Sequence, residues 1–456
     1  MIRSMLAPVP RSVAPLLLLA LLCGCSSSDH APSSLQDVQA VAVSARNIRI
    51  SWTPQDGAEV VIQRSVPGSP AFIEVARKQS THGRFLDLGL DPETPYAYKL
   101  TLCRDDVCET PFSTGAIATP PTEFPSVELT VAATGTADDL VIFGTYRLSA
   151  TVFKEGHMVA VDRTGKIVWE YATHEWGPIT EVQPLADGTL VTGQFQTLVQ
   201  VDLDGREVYR WTGTDAHHDI DELADGRLGF ISADPFESEP GYTRMGDAIR
   251  ILNHERTAIE WEWRARDHIV LSDANELDLQ DNLLGLGHDW THANALTFNA
   301  DASKVIVNLR NLNRIYQIDV ATKQTDWIMG EGGDFGAGIW DHSHDPEFLD
   351  EHHVLIMDNG MRRPEPQFSR VIEVEFDPAA KTSAVVWEYR ETPDFYNFAL
   401  GSVHRQDNGN VFITDGTNGR LLEVTREKQK VWELKVEKYF WVYKAVTVPR
   451  EFFTAW

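Results

Sequence analysis

The sequence predicts an all-β protein, in which a six-bladed β-propeller follows a small β-sandwich. After residue 126 the chain repeats one element six times: an apolar stretch, a polar turn and an apolar pair that ends in Trp. Several copies follow a strand with an Asp-Gly or Asn-Gly pair, and such pairs supply the positive φ that tight hairpin turns require. The same region has no long helical pattern. Two hairpins per repeat indicate a four-stranded antiparallel sheet, which is the blade of a propeller.

Composition narrows the class of partner. The chain has 456 residues, of which 40 are Lys or Arg and 67 are Asp or Glu, so its net charge is −27. Nucleic acids and anionic lipid surfaces need a basic footprint, so we expect neither as a partner. An anionic small molecule stays open, because it meets only the local field of its site. No internal apolar run approaches the ~20 residues that a membrane-spanning helix needs.

The first residues have the layout of a secretory signal. Two arginines precede an apolar run at 16–22, which ends in Cys23-Gly24-Cys25 and is followed by serines. This order resembles a bacterial lipobox, in which Cys25 becomes the acylated first residue. We expect a signal peptide at 1–24 and a Ser-rich tether at 25–34. The protein is then extracytoplasmic and lipid-anchored, in the periplasm at the outer membrane or on the cell surface of a bacterium. A plain cleaved signal is the alternative.

Residues 35–119 are predicted to form the sandwich. Residues 38–43 and 48–52 alternate in polarity, as half-buried strands do. The spacing resembles the tyrosine corner of fibronectin type III domains, with Trp52 as the core aromatic. The motif that carries this resemblance is Leu90-x-Pro92-x-Thr94-x-Tyr96-x-Tyr98. In addition, Cys103 and Cys108 bracket a four-residue turn, and we expect them to form a disulfide in an oxidising compartment.

Residues 120–456 are predicted to form the propeller, after a Pro-rich linker at 116–125. The Trp-ended elements lie at 159–169, 199–211, 249–261, 315–327, 371–387 and 421–432. We expect their Trp side chains to seal neighbouring blades as part of the core. The first repeat lacks an obvious inner strand, so a terminal segment such as 442–448 or 127–131 is expected to close the ring. A solenoid or an ordinary sandwich fits these irregular repeat lengths less well.

Three consecutive blades carry a histidine at the start of the expected inner strand. His218 lies eight residues before Gly226, and His344 lies eight residues before His352, which occupies the same turn position. His292 opens the inner strand of the blade between them. Because inner strands point into a central channel, we expect these imidazoles to converge at one of its mouths. Ser402 or His404 stands at a similar depth in the last blade.

The histidine is not a requirement of the blade itself, because Thr180 occupies the matching position before Gly188. A ring of His side chains suits either zinc or copper or nucleophilic group transfer by imidazole. Asn294 and Arg310 favour group transfer, since an Arg repels a cation but clamps sulfate or phosphate. We therefore expect activity without a metal or a cofactor.

Together, these motifs resemble those of bacterial arylsulfate sulfotransferases. The resemblance rests on four motifs in order: His217-His218-Asp219, Trp290-x-His292-x-Asn294 with Arg310 sixteen residues later, Ile315 to Asp319, and His344-Asp345-Pro346 followed by Met357-Asp358-Asn359-Gly360. It implies a six-bladed propeller that moves a sulfuryl group from a phenolic sulfate to a phenol, through a sulfated histidine and without a nucleotide donor.

The resemblance also implies a role for each residue of the site. His344 matches the nucleophile, while His218 and His292 match the acid, base and charge partners. Asn294 and Arg310 match the groups that bind the sulfuryl oxygens. Two other functions stay open, a non-catalytic binding or assembly scaffold and a metal-dependent hydrolase. The scaffold is an alternative because Trp-ended repeats on a lipoprotein also resemble quinoprotein-like assembly lipoproteins.

Overall fold

The computed structural model describes residues 35–454, except 106, 123, 133, 137, 149–152, 174–178, 195–196, 213–214, 274–286 and 336–338. The predicted signal peptide, the tether and the lipidation site at Cys25 lie outside these residues. Within them, no helix is long and apolar enough to cross a membrane.

Two small sheets form the first part of the described chain. Their strands are β1 (Gln39–Ala42), β2 (Ile48–Ser51), β3 (Glu59–Ser65), β4 (Phe72–Gln79), β5 (Arg84–Asp87), β6 (Pro95–Tyr96), β7 (Tyr98–Arg104), β8 (Val107–Cys108), β9 (Phe112–Ser113) and β10 (Ile117–Ala118). One sheet has the order β1-β2-β5, and the other has the order β4-β3-β7 with β8 and β9 both on β7. β6 and β10 form a separate pair.

The two sheets share one apolar core, because their strands alternate buried and exposed residues. Ile48 and Ile50 of one sheet pack in the same cluster as Val60 and Leu100 of the other. The buried Tyr96 accepts a hydrogen bond through its Oη from the backbone N–H of Asp91 at 2.9 Å, as a tyrosine corner would. This region is a β-sandwich, and its membership of the fibronectin type III class stays a prediction.

The predicted disulfide is confirmed. Cys103 and Cys108 are directly opposite each other where β7 pairs with β8, and their sulfur atoms are bonded. The bond therefore closes a hairpin at the edge of the sandwich.

The remaining strands follow one another in short antiparallel groups. They are β11 (Val127–Val131), β12 (Asp139–Leu148), β13 (Phe153–Val161), β14 (Ile167–Ala172), β15 (Ile179–Pro184), β16 (Leu190–Gln194), β17 (Thr197–Val201), β18 (Glu207–Thr212), β19 (Ala216–Glu222), β20 (Leu228–Glu239), β21 (Tyr242–Leu252), β22 (Ile259–Arg264), β23 (His288–Asp289), β24 (Ala293–Phe298), β25 (Lys304–Leu309), β26 (Arg314–Asp319), β27 (Thr325–Gly330), β28 (His344–Phe348), β29 (His353–Asp358), β30 (Arg370–Asp377), β31 (Thr382–Tyr389), β32 (Ser402–Arg405), β33 (Val411–Asp415), β34 (Arg420–Val424), β35 (Lys430–Val436) and β36 (Phe440–Pro449). The helical elements of the described residues are two one-turn α-helices, α1 (Ala265–His268) and α2 (Glu451–Thr454), and four 3₁₀ turns at Ser80–His82, Leu271–Asp273, Arg310–Leu312 and Gly416–Asn418.

These strands form six sheets arranged as a ring. The sheet orders, from inside to outside, are β36-β12-β13-β14, β15-β16-β17-β18, β19-β20-β21-β22, β24-β25-β26-β27, β28-β29-β30-β31 and β32-β33-β34-β35-β11, and β23 pairs with β21. The inner strands β36, β15, β19, β24, β28 and β32 contact one another in that order, and β32 contacts β36 again. A closed ring of radial antiparallel sheets is a β-propeller, so the predicted class is confirmed.

The two terminal segments that the sequence offered as alternatives for closing the ring both take part in it. β36 pairs with β12 and is the inner strand of the first sheet, while β11 pairs with β35 and is the outer strand of the last. The first and last sheets are therefore each completed by chain from the opposite end of the propeller.

The repeated tryptophans join neighbouring sheets, as predicted. Each ends a repeat copy that covers the third and fourth strands of a sheet. Trp169 Nε1 donates to the carbonyl of Leu203 in the next sheet at 2.8 Å, and Trp432 Nε1 donates to Arg163 O in the first sheet at 3.0 Å. Both indoles are buried, so their N–H groups need these partners.

Candidate active site

Three of the predicted site residues lie where inner strands begin. His344 is the first residue of β28, His218 is the third residue of β19, and His292 immediately precedes β24. His218 and His292 have φ of 61° and 47°, a left-handed conformation that costs a non-glycine residue about 1–3 kcal/mol. The pairing register shifts near all three residues, so each strand enters the ring through a bulge.

His218 and His292 face each other, with ring centroids 5.0 Å apart. The Nδ1 atoms of His217 and His218 are 2.6 Å apart, so one of them carries the hydrogen and the other accepts it. His217 is held on its other side by Asp247 Oδ1, 3.1 Å from its Nε2. Burial and the charges of His217 and His292 keep the pKa of His218 well below its usual value. His218 is therefore neutral near pH 7.

His292 is paired with a carboxylate. Its Nδ1 lies 2.6 Å from Asp289 Oδ2. Burial acts to raise the pKa of Asp289, but the charge and hydrogen bond of His292, with the charge of Arg310, lower it below its usual value. A carboxylate at this distance accepts the hydrogen on Nδ1 of His292. The contact therefore fixes the orientation of the His292 ring.

His344 is buried and held in one tautomer. Its Nδ1 lies 2.6 Å from Asn359 Oδ1, which is an acceptor because Asn359 Nδ2 donates to the carbonyls of Asn397 and Leu400. The hydrogen of His344 is therefore on Nδ1, and the lone pair is on Nε2. The N–H of Leu400 donates to that Nε2 at 3.2 Å. Burial and the charge of Arg310 hold the pKa of His344 well below its usual value.

Arg310 brings a buried positive charge to the same place. It follows β25, and its backbone N–H donates to the carbonyl of His292 at 3.1 Å. Its guanidinium donates to Asn311 Oδ1 at 2.8 Å and approaches the sulfur of Met361 at 3.0 Å. Both of these partners are neutral. The charge of Arg310 also contributes to the lowered pKa of His344.

Asn294 has a structural contact that the sequence did not indicate. Its Nδ2 donates to the carbonyl of Ser343 at 2.9 Å, and its Oδ1 accepts from Asn308 Nδ2 at 2.6 Å. Since Ser343 immediately precedes His344, Asn294 ties β24 to the start of β28. Its predicted contact with substrate stays a prediction.

Asn359 and Tyr443 belong to the site, but neither was predicted as a site residue. Asn359, which orients His344, stands in a motif that the sequence singled out, but nothing in that motif showed its partner. The ring of Tyr443 on β36 packs edge-on against His218 at 5.6 Å. Its Oη is buried and makes no hydrogen bond among the described residues. Only the expectation that residues 442–448 close the ring pointed to this strand.

Neither candidate of the last blade joins the imidazole group. Ser402 Oγ donates to Thr414 Oγ1 at 2.8 Å within its own sheet. His404 lies against carboxylates, with Nε2 3.7 Å from Asp345 and Nδ1 3.8 Å from Glu347. Burial acts to lower the pKa of His404, but these two carboxylates raise it above its usual value. His404 therefore belongs to an ionic layer next to the site.

The described part of the chain contains no group of three or more His, Cys, Asp or Glu side chains arranged to hold a metal ion. What it does bring together is a neutral imidazole with a directed lone pair, two further imidazoles and a buried guanidinium. This set can attack an electrophile, supply or accept a proton, and bind an anion.

The chain is similar in sequence to a family of known proteins. The model of a family described as arylsulfotransferase (ASST) matches residues 127–444. No curated protein matches the sequence. Among solved structures, a protein of unknown function from Bacteroides caccae is 13% identical, with a TM-score of 0.47 over 68% of this chain and 99% of that one. The periplasmic gluconolactonase of Pseudomonas aeruginosa is 11% identical, with a TM-score of 0.41 over 86% of this chain and 99% of that one.

Proposed function

Because the chain belongs to the arylsulfotransferase family, we propose that this sulfotransferase moves a sulfuryl group from an aryl sulfate to a phenolic acceptor through a sulfated His344. The observation that carries the proposal is the tautomer of His344 together with its lowered pKa. Its Nδ1 hydrogen is bound by Asn359 and its pKa is lowered, so Nε2 keeps a free electron pair near pH 7. No nucleotide sulfate donor is needed, because an aryl sulfate already carries a leaving group.

In the first step the electron pair of His344 Nε2 forms a bond to sulfur, and the bond from sulfur to the phenolic oxygen breaks. The N–H of Leu400 gives up its contact with Nε2 as the new bond forms. The imidazole then carries positive charge, which Asn359 Oδ1 stabilises through the hydrogen on Nδ1. His292, paired with Asp289, gives its proton to the departing phenolate.

The second step reverses the first with another phenol. The acceptor hydroxyl loses its proton to His292, its oxygen bonds to sulfur, and the bond from sulfur to Nε2 breaks. Dividing the transfer in this way uses one anion site for both half-reactions. Arg310 binds the sulfuryl oxygens in each, and a fixed donor of this kind is worth on the order of 10²–10³ in rate.

Turnover of a chromogenic aryl sulfate with a phenol acceptor tests this function. We expect ping-pong kinetics, since the donor product leaves before the acceptor reacts, and we expect the same rate with a chelator present. Loss of turnover in chelator, restored by zinc, would instead indicate the metal-dependent hydrolase. Parallel double-reciprocal plots of rate against aryl sulfate concentration, at several fixed concentrations of the phenol, support the covalent route, whereas intersecting lines would contradict it.

The lipobox-like segment ending in Cys25 supports a location for this reaction. We propose that the enzyme is anchored through an acylated Cys25 outside the cytoplasm, where phenolic sulfates and phenols reach it by diffusion. The disulfide between Cys103 and Cys108 is consistent with an oxidising compartment.

A further inference from the structure

Directly beside the imidazoles, one buried ammonium is shared by three carboxylates from three different sheets. Lys444 Nζ lies 2.7 Å from Glu181, 2.9 Å from Asp345 and 3.2 Å from Asp219. The lysine is on β36, and the acids are on β15, β28 and β19. We call these four residues the ionic hub. It joins four of the six inner strands at the centre of the ring.

Each member of the ionic hub directly follows a residue at the channel mouth. Asp219 follows His218, and Asp345 follows His344. Glu181 follows Thr180, which the sequence placed at the position equivalent to the histidines. Lys444 follows Tyr443, whose ring packs on His218. The inner strands therefore carry pairs of neighbouring residues, in which the first belongs to the reactive layer and the second to the ionic layer.

The ionic hub also fixes the bulges that bring the histidines inward. His218 has a φ of 61° and Asp345 a φ of 42°, and such left-handed residues persist only where the surroundings hold them. Asp219 additionally accepts the N–H of Leu296 at 2.7 Å, and Glu181 accepts the N–H of Ile220 at 2.7 Å. The bulged backbone beside His218 is thus tied to both neighbouring sheets.

We propose that Lys444 is a positioning residue, which sets the placement of His218 and His344 by holding Asp219 and Asp345 at one ammonium. Its role in catalysis rests on the proposed function, but the placement itself does not. Misplacing a reacting group by about 1 Å can cost on the order of 10²-fold in rate. Removal of the ammonium leaves three carboxylates in mutual repulsion, so both bulges should shift.

Lys444→Met tests the proposal because it keeps most of the side-chain length and removes the charge. We expect the first turnover with excess aryl sulfate to be about 10–100-fold slower, and the imidazole NMR signals of His218 and His344 both to move. Lys444→Arg keeps the cation and should recover most of the rate. Asp345→Asn is isosteric and serves as the second variant if Lys444→Met does not fold. It should displace the His344 signal with a smaller loss of rate.

Arg163→Met is the matched control. Arg163 is a buried cation shared by Asp139 and Glu423 of two neighbouring sheets, at 2.7 and 3.0 Å. Asp139 pairs with Pro449, the last residue of β36, whereas Tyr443 lies near the first residue of that strand. This variant should lower stability yet leave the first-turnover rate within about twofold, with both imidazole signals in place.

Unchanged rate and unmoved imidazole signals in Lys444→Met would overturn the proposal. A slowing by Arg163→Met as large as that by Lys444→Met would overturn it as well, because the loss would then follow from general destabilisation. If the unmodified enzyme transferred no sulfuryl group, the proposed function would fall. The imidazole signals would then decide the positioning role alone.

Discussion

The imidazole of His344 is held by two contacts of opposite kind. Asn359 accepts the hydrogen on Nδ1, while the N–H of Leu400 donates to the lone pair on Nε2. The first contact selects the nucleophilic tautomer, and the second keeps the lone pair directed in the absence of substrate. The lowered pKa of His344 adds a third condition, since protonation would remove the lone pair altogether.

The pH dependence of the first turnover follows from that lowered pKa. The unperturbed imidazole has a pKa of about 6.5, and His344 titrates well below it. We therefore expect no loss of rate as the pH falls from about 8 to about 6.5, and a decrease only at lower pH. His353→Gln, which alters a half-buried imidazole at the start of β29, should leave the profile unchanged. A rate that already falls by half between a pH of about 8 and a pH of about 6.5 would show an ordinary pKa at His344.

His218 and His344 also make the free energy of unfolding depend on pH. Below a pH of about 6.5 the unfolded imidazoles bind protons, whereas folded His218 and His344 do not. The unfolded state then binds more protons, so these two groups lower the free energy of unfolding as the pH falls below that value. Urea titrations at a series of pH values measure this contribution, and the double variant His218→Gln/His344→Gln should reduce the slope.

At the scale of elements, the repeated tryptophans of the fourth strands link neighbouring sheets. Trp432 closes the ring, because its Nε1 donates to Arg163 O in the first sheet. Trp211 has the equivalent place in its repeat, but its buried Nε1 makes no hydrogen bond among the described residues. The chain thus offers two indoles at equivalent positions, of which only Trp432 makes this hydrogen bond.

Trp432→Phe should lower the free energy of unfolding by about 1 kcal/mol more than Trp211→Phe. Both substitutions remove similar apolar volume, but only the first leaves a buried carbonyl without its donor. The midpoint of urea unfolding at constant m-value measures the difference. Equal losses for the two variants would show that the inter-sheet hydrogen bond contributes nothing beyond packing.

At the scale of the whole molecule, the ring is held by contacts that its sequence pattern does not show. Neighbouring inner strands are tied by carboxylates that accept backbone N–H groups of the next sheet: Asp221 accepts from Phe298 at 2.8 Å, and Glu347 accepts from Arg405 at 2.7 Å. Part of the acidic excess of the chain is thus structural. Lys444 offsets some of this negative charge at the centre.

Local pattern predicted most of the fold and part of the site. Trp-ended repeats and Gly turns are short-range signals, so the sheets, both ring-closing strands and the repeated histidine position followed from them. The partners of those histidines did not follow. Asn359 and Lys444 reach His344 and Asp345 from other strands, and their contacts depend on bulges whose register a single sequence does not reveal. No periodicity marks such pairs.

The central claim is that His344 carries the sulfuryl group between donor and acceptor. The most direct measurement is to incubate the enzyme with an aryl sulfate alone, quench it and map the modified peptide by mass spectrometry. We predict one sulfuryl group on His344 and none elsewhere, with no modification of a folded His344→Ala variant. Modification of His218 instead, or turnover by His344→Ala with no modified histidine in either protein, would contradict the account.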